Sequence, residues 1–146
     1  VDSELRTSHP AIFAAGDIAN EQHPILGPLR VEHWANALTQ GPAAARNMLG
    51  RAGPYDRVPY FFSDQYDVGM EYAGLARRWD RVVFRGDPAS REFIAFWLHE
   101  SRLLAAMKVN VWDVNEQLQD LARRRAPVDI AALEDPEVPL AELATV

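Results

Sequence analysis

Two apolar segments joined by a polar turn decide the fold: EFIAFWLH at residues 92–99, ESR at 100–102 and LLAAMKVNV at 103–111. Successive side chains of a β-strand point to opposite faces. In the first segment the odd-numbered and the even-numbered side chains between Phe93 and Leu98 are all apolar. We therefore expect an antiparallel hairpin whose first strand is covered on both sides.

The sequence on either side of this hairpin extends the pattern. Aromatic and β-branched residues with turn residues between them run through residues 60–111 and predict shorter strands at Val68–Leu75 and Arg81–Arg85. From Trp112 the apolar period becomes helical, and two further short helices are expected in the tail that follows residue 126. These elements predict an antiparallel sheet with flanking helices.

A different pattern precedes this region. The apolar run IFAAGD at residues 12–17 is typical of a buried parallel strand that ends in a turn. Such a strand needs neighbours on both sides, which the preceding residues do not supply, so we expect this chain to be a piece of a longer protein. Residues 18–31 are expected to form a loop. A helix is expected to begin near Glu32-His33-Trp34 and to stop at Gly50, with a kink or a break at Pro42.

The two patterns define the predicted architecture. The stretch from Arg51 to Pro59 contains glycine and proline and is typical of a linker. We predict two domains, residues 1–52 and residues 57–146. The predicted fold class is α+β: a remnant strand and helix of an α/β lobe, followed by a carboxyl-terminal antiparallel sheet with flanking helices.

Composition excludes several classes of function. The chain has 146 residues, a net charge of −6 and no cysteine. An acidic surface argues against nucleic-acid binding, and no apolar run is long enough to span a membrane. The absence of cysteine excludes thiolate metal ligands, and the four histidines lack metal-ligand spacing. Phosphate-binding loops and the common hydrolase and metalloprotease motifs are also missing, so we assign no catalytic residue and no metal site.

Two places remain where a ligand could bind. Gly16 after the predicted strand lets a ligand approach the backbone, and the Asp17 carboxylate accepts hydrogen bonds from ligand hydroxyls. The helix that begins near Glu32 offers unpaired N–H groups and the positive end of its dipole, which favour a developing negative charge. A polyhydroxyl chain at one end and an electron-accepting ring at the other describe a flavin.

These residues also carry a family resemblance. The segment IFAAGD at residues 12–17 resembles the second flavin-binding motif of the FAD-dependent pyridine-nucleotide oxidoreductases. VEHWANA at 31–37 is similar to the helix that follows that motif. PYFFSDQYD at 59–67, with Ala73-Gly74-Leu75, is similar to the start of the carboxyl-terminal domain of the ferredoxin and rubredoxin reductases. The resemblance extends from Val1 to about Leu143 and implies that residues 1–52 are the end of an FAD-binding domain.

The resemblance implies a role for each candidate residue. Gly16 and Asp17 match the turn that binds the FAD ribityl chain. Glu32, His33 and Trp34 match the segment whose backbone meets the pyrimidine edge of the flavin ring.

Two further residues have implied roles outside those segments. Phe62 matches an aromatic position beside the flavin, where tryptophan is usual in this branch. Arg30 matches a position where some relatives use arginine to dock an acidic ferredoxin.

The resemblance further implies the activity of the whole protein. FAD would receive hydride from NAD(P)H and pass electrons to a ferredoxin-type iron–sulfur protein in the cytoplasm, while the isolated fragment would be inactive. Two alternatives stay open: residues 57–146 as a non-enzymatic interaction module, including a homo-oligomer, and a flavoprotein similar to apoptosis-inducing factor. The sequence implies neither a nucleic-acid nor a membrane partner.

Overall fold

The chain folds into two compact units in a computed structural model that describes residues 1–51 and 53–143. The units are Val1–Pro59 and Tyr60–Val146. Residue 52 and residues 144–146, which close the two predicted domains, lie outside the described residues.

The first unit contains one helix and one small sheet. Its elements are a 3-10 helix at Gly16–Ile18, strand β1 at Asn20–His23, strand β2 at Gly27–Arg30 and helix α1 at Trp34–Met48. Strands β1 and β2 pair antiparallel, with Asn20 opposite Arg30 and His23 opposite Gly27. The prediction that residues 18–31 form a loop is therefore wrong. Proline and glycine form the turn of a hairpin here rather than a longer irregular segment.

The prediction of a buried strand before Gly16 is also wrong. Phe13 forms a single antiparallel bridge with Arg6, and the Ile12 side chain is exposed. The backbone hydrogen bonds of this segment are made with residues 5–7. Thr7 N–H donates to Ile12 O at 2.9 Å, and Ala14 N–H donates to Leu5 O at 3.1 Å. Among the residues that the structure describes, no strand lies parallel to this segment.

Helix α1 begins and ends where the sequence predicts. The N–H groups of Gly50 and Arg51 donate to the carbonyls of Asn47 and Arg46, which completes the last turn. The expected break at Pro42 is absent, because α1 is continuous through it. Proline removes only one hydrogen bond, and the buried polar contacts on the other face of α1 hold the helix across this position.

The second unit is built on a five-stranded antiparallel sheet with spatial order β3-β4-β7-β6-β5. Its strands are β3 Tyr60–Gln65, β4 Val68–Gly74, β5 Arg81–Asp87, β6 Glu92–His99 and β7 Arg102–Val109. Helix α2 at Asn115–Arg124, helix α3 at Ile130–Glu134 and a 3-10 turn at Leu140–Glu142 follow. The predicted central hairpin and its helices are confirmed, and β3 is a strand that the sequence pattern did not separate from its neighbours.

The core of the second unit lies between one face of the sheet and the helices. Ile94, Phe96 and Leu98 of β6 are buried in one cluster with Leu118 of α2 and Leu133 of α3. The opposite face of β6 is only half-buried at its two aromatic side chains. The expectation that β6 is covered on both sides is therefore correct for the face that packs against the helices and only partly correct for the opposite face.

None of the helices in the described part of the chain is long and apolar enough to cross a membrane.

The junction of β4 with β7 tolerates no side chain at Gly74. Its φ is +100°, and an added Cβ would overlap Leu104 O and lie 2.8 Å from Ala105 Cα. We expect Gly74→Ala to lower the free energy of unfolding by about 3 kcal/mol, measured by urea denaturation. Gly53→Ala is the control, because an added Cβ there meets nothing within 4 Å. Equal stability of the two variants would contradict this account of the sheet.

Candidate functional site

The Gly16–Asp17 turn packs directly against helix α1. Gly16 is buried and has a φ of +76°, and an added Cβ would lie 3.3 Å from the Cβ of Ala37. The turn continues as a short 3-10 helix, closed by the Ala19 N–H donating to Gly16 O at 2.9 Å. Glycine therefore meets two requirements at once, a left-handed backbone and close approach to the helix.

The amino-terminal end of α1 presents backbone donors. His33 is the N-cap residue and has an extended backbone. The N–H groups of Asn36 and Ala37 both donate to His33 O, at 3.0 and 3.1 Å. Helix geometry leaves the N–H groups of Trp34 and Ala35 without an intrahelical acceptor. The predicted start of this helix is confirmed, and the Trp34 side chain is 70% exposed beside it.

Arg30 joins the two halves of this arrangement. Its Nε donates to the Asp17 carbonyl at 2.7 Å, and its Nη2 lies 2.7 Å from Glu32 Oε1. The β1–β2 hairpin, which the sequence analysis missed, carries Arg30 to this position. The Asp17 carboxylate itself has no hydrogen bond or ion pair with any residue that the structure describes. It is exposed as an acceptor.

A buried amide and a buried carboxyl lie behind the turn. Gln40 is 1% exposed: its Oε1 accepts from the Gly16 N–H at 2.8 Å, and its Nε2 donates to Glu21 Oε2 at 2.6 Å. Glu21 is 3% exposed. Burial raises the pKa of Glu21 from 4.5 to about 7, against the opposing effects of the Gln40 hydrogen bond and the Val1 ammonium.

Sequence reasoning missed Gln40 and Glu21, although one signal could have indicated them. Buried Asn36, Gln40 and Asn47 follow one face of α1 at helical spacing, whereas Trp34 and Leu38 are exposed. The usual amphipathic pattern is inverted, with polar side chains inside and apolar ones outside. Amides at helical spacing on a predicted helix are therefore candidates for buried hydrogen-bonding groups.

The end of the first unit is fixed by further buried polar contacts. The Tyr55 hydroxyl donates to Asn36 Oδ1 at 3.0 Å and lies 2.7 Å from Thr39 Oγ1. His23 Nδ1 accepts from two backbone N–H groups, and its Nε2 donates to the Arg57 carbonyl at 3.1 Å. Burial lowers the pKa of His23, which favours this neutral tautomer.

Phe62 belongs to the second unit, on strand β3. Its side chain is 51% exposed and lies opposite Glu71 in the sheet register. Glu71 accepts from the Tyr60 hydroxyl at 2.9 Å and pairs with the buried Lys108 at 2.8 Å. Phe62 therefore lies beside a satisfied ion pair, and its contact with a flavin stays a prediction.

The described residues contain no group of three or more His, Asp or Glu side chains that could hold a metal ion. The groups that come together in the first unit are instead the exposed Asp17 carboxylate, the backbone N–H groups of Trp34 and Ala35, and a glycine packed against a helix. Carboxylates accept from hydroxyls, and helix amino termini favour developing negative charge. This donor and acceptor set fits the ribityl chain and the electron-accepting ring of FAD.

Comparison with known proteins agrees with the fold. The family described as "Reductase C-terminal" matches residues 60–144. The ferredoxin–NAD(+) reductase component of the anthranilate 1,2-dioxygenase system of Burkholderia cepacia is 37% identical over 139 residues, which cover 94% of this chain and 33% of that protein.

Two crystal structures cover nearly the whole chain. The ferredoxin reductase for the CYP199A2 system from Rhodopseudomonas palustris superimposes with a TM-score of 0.90 at 34% identity, over 99% of this chain and 36% of that one. Putidaredoxin reductase, in its covalent complex with putidaredoxin, gives a TM-score of 0.87 at 34% identity, over 98% of this chain and 34% of that one.

These matches establish the class of protein, an α+β chain similar to part of the ferredoxin reductases. The chain spans about a third of the length of the relatives that it matches. Because the family match covers more than half of its residues, the chain belongs to the reductase carboxyl-terminal family. The family resemblance and the α+β fold class predicted from the sequence are thereby confirmed.

The raised pKa of Glu21 predicts a pH-dependent stability. Between pH 4.5 and about 7 the folded chain retains a proton that the unfolded chain has lost, so this contribution to stability falls as the pH rises through 7. We expect Glu21→Gln to remove that loss. Relative to the variant, the wild type should lose on the order of 2 kcal/mol between pH 5 and pH 8.

The measurement is urea denaturation of both proteins at pH 5, 6, 7 and 8. Glu134→Gln is the control, because the Glu134 side chain is exposed and should leave the wild-type slope unchanged. A Glu21→Gln slope identical to the wild-type slope would show that Glu21 does not change its protonation on unfolding.

Proposed function

We propose that this chain acts as the carboxyl-terminal part of an FAD-dependent NAD(P)H:ferredoxin reductase. One observation carries the proposal: Arg30 binds the Asp17 carbonyl and the Glu32 carboxylate, and so holds the turn that bears the exposed Asp17 carboxylate beside the amino end of α1. The names of the similar proteins, a ferredoxin–NAD(+) reductase component and a ferredoxin reductase, support the same activity. A cytoplasmic location belongs to this proposal.

Each residue of the first unit has a defined task in the proposed site. Gly16 brings the backbone close enough for the cofactor to reach the turn, and Asp17 accepts hydrogen bonds from its hydroxyls. The backbone at Glu32, His33 and Trp34 places N–H donors and the positive helix end against the ring. Bound FAD would supply the redox chemistry itself, since hydride and single-electron transfer are properties of the cofactor.

Arg30 has a different task from the one the sequence first suggested. Its guanidinium already binds the Asp17 carbonyl and the Glu32 carboxylate, so it positions two residues of the proposed flavin site. Its side chain is still half exposed. Arg30 is therefore also available to an acidic ferredoxin-type partner, which we retain as the proposed electron acceptor.

Phe62 is proposed as a second flavin contact. The family resemblance supports this role, together with the exposure of half of its side chain on β3. An aromatic ring supplies a flat apolar surface, which suits stacking on a tricyclic ring. The usual tryptophan of this branch would add an N–H donor that Phe62 lacks.

The central test is flavin retention in the protein expressed with every segment that its gene encodes. We expect the wild type to be yellow and Asp17→Ala to bind FAD about 10- to 100-fold more weakly, because hydrogen bonds to a charged acceptor are lost. The measurement is the quenching of flavin fluorescence on titration into apoprotein. Asp120→Ala is the control, because Asp120 is an exposed residue of α2 paired with Arg124.

Two results would oppose the proposal. A wild-type protein that stays colourless after incubation with FAD would remove the flavin from the function and favour the interaction-module alternative. Unchanged affinity in Asp17→Ala would leave the flavin in place but remove Asp17 from its site.

A further inference from the structure

A line of three buried hydrogen-bonding groups ends at the Gly16–Asp17 turn. The Glu21 carboxyl accepts from the Gln40 amide at 2.6 Å, and the Gln40 amide accepts from the Gly16 N–H at 2.8 Å. All three residues are buried, whereas Asp17, the next residue along the chain, is exposed. These hydrogen bonds therefore connect Glu21 of strand β1 and Gln40 of helix α1 to the backbone next to Asp17.

The chemistry of the line fixes its direction. A backbone N–H can only donate, so Gly16 requires the oxygen of the Gln40 amide. The amide nitrogen then points the other way and requires an acceptor, which Glu21 supplies. Without an acceptor at position 21, the Gln40 amide could rotate by 180°. Its NH₂ group would then face the Gly16 N–H, and two donors would be opposed. Each member therefore determines the orientation of the next.

The cost of this arrangement indicates a specific role. Burying a carboxyl and an amide is less favourable than burying apolar side chains of the same size, and the elevated pKa of Glu21 reflects that cost. Gly16 has a left-handed backbone, which a hydrogen bond to its N–H helps to define. The same helix face carries a comparison residue, Asn47, whose amide binds Glu4 O and Gly53 instead of the turn.

We propose that Gln40, oriented by Glu21, is a positioning residue of the flavin site that fixes the Gly16–Asp17 turn in its cofactor-binding geometry. This inference rests on the proposed function, because it assigns the turn to FAD. Neither residue touches the cofactor. Both act through the Gly16 N–H, and their removal changes how the Asp17 carboxylate is presented.

The test compares two buried amides on one helix face, in the protein expressed with every segment that its gene encodes. Gln40→Met keeps a similar volume and removes the contacts to Gly16 and Glu21, whereas Asn47→Leu removes the contacts to Glu4 and Gly53. We expect Gln40→Met to weaken FAD binding about 10-fold and to change the visible circular dichroism of the bound flavin. Asn47→Leu should leave both unchanged, although each variant loses comparable buried hydrogen bonds.

Variants at position 21 test the orienting role of the carboxyl. Glu21→Gln keeps an oxygen acceptor for the Gln40 amide, so FAD affinity should stay within about twofold of the wild type. Glu21→Leu has no acceptor and should weaken binding to the same extent as Gln40→Met. Combining Glu21→Leu with Gln40→Met should add no further loss, because Glu21 acts through Gln40.

If Gln40→Met does not fold, a second variant, Gln40→Glu, tests the same inference through the pH dependence of its FAD affinity. Gln40→Glu keeps an acceptor for the Gly16 N–H but places a second carboxyl beside Glu21. At pH 6 the two carboxyls can share a proton, and at pH 8 they repel each other. We expect near-normal FAD affinity at pH 6 and at least a 10-fold loss at pH 8, relative to the wild type at each pH.

The wild type at each pH is the reference for this variant. It accounts for the Tyr55 phenol, an ionisable group that interacts with Glu21.

The outcomes separate this inference from the proposed function. If Gln40→Met and Asn47→Leu weaken FAD binding equally, or neither does, Gln40 has only a structural role and the inference is wrong. In both cases the wild type still binds FAD and the proposed function stands. A wild type that binds no FAD overturns both.

Discussion

The close approach of Gly16 to Ala37 is the constraint on which the first unit depends. A contact of this kind leaves little room for a side chain at Gly16, and the left-handed backbone of Gly16 directs the chain out toward Asp17. Once the turn is seated on α1, its buried N–H needs an acceptor, which the helix supplies from Gln40. The exposed carboxylate and the helix amino end are thereby brought to the same side of the unit.

This constraint also explains why α1 buries polar side chains and exposes apolar ones. A helix that packs against irregular backbone must satisfy the N–H and carbonyl groups of that backbone, and apolar side chains cannot do so. Asn36, Gln40 and Asn47 bind Val31 O, the Gly16 N–H and the segment at Gly53, respectively. Three of the five buried residues of α1 are polar because its neighbours include turns and loops, whereas α2 packs against a regular sheet and buries leucine.

The same contrast determines how much of the molecule could be predicted from its sequence. An apolar run that ends in a polar turn and a helical period are both local signals, so the hairpin of β6 and β7 and the helix after Trp112 were readable from the sequence. The hairpin of β1 and β2 was not, because Pro24, Gly27 and Pro28 resemble an irregular loop as much as a tight turn. The run at residues 12–17 has the composition of a buried strand, yet its backbone bonds run to Leu5 and Thr7.

The candidate site was predictable only in part, for a related reason. Asp17 and the start of α1 are each marked by local sequence, but their connection depends on residues distant in the chain. Gln40 lies 24 positions from Gly16, and Arg30 lies 13 positions from Asp17. No spacing rule relates such pairs, because β1 and β2 must first fold back on each other. Family resemblance supplied the roles of single residues, whereas the contacts between them required the structure.

Arg30 shows why the connection matters for the proposed function. A docking arginine that was free in solution could turn toward an acidic partner without consequence for the cofactor. Here the same guanidinium holds the Asp17 carbonyl at 2.7 Å and the Glu32 carboxylate at 2.7 Å. A partner carboxylate that competed with Glu32 for this guanidinium would weaken one of the two contacts through which Arg30 joins Glu32 to the Asp17 carbonyl. In the proposed reductase, the side chain assigned to docking is therefore also the one that contacts two residues of the proposed flavin site.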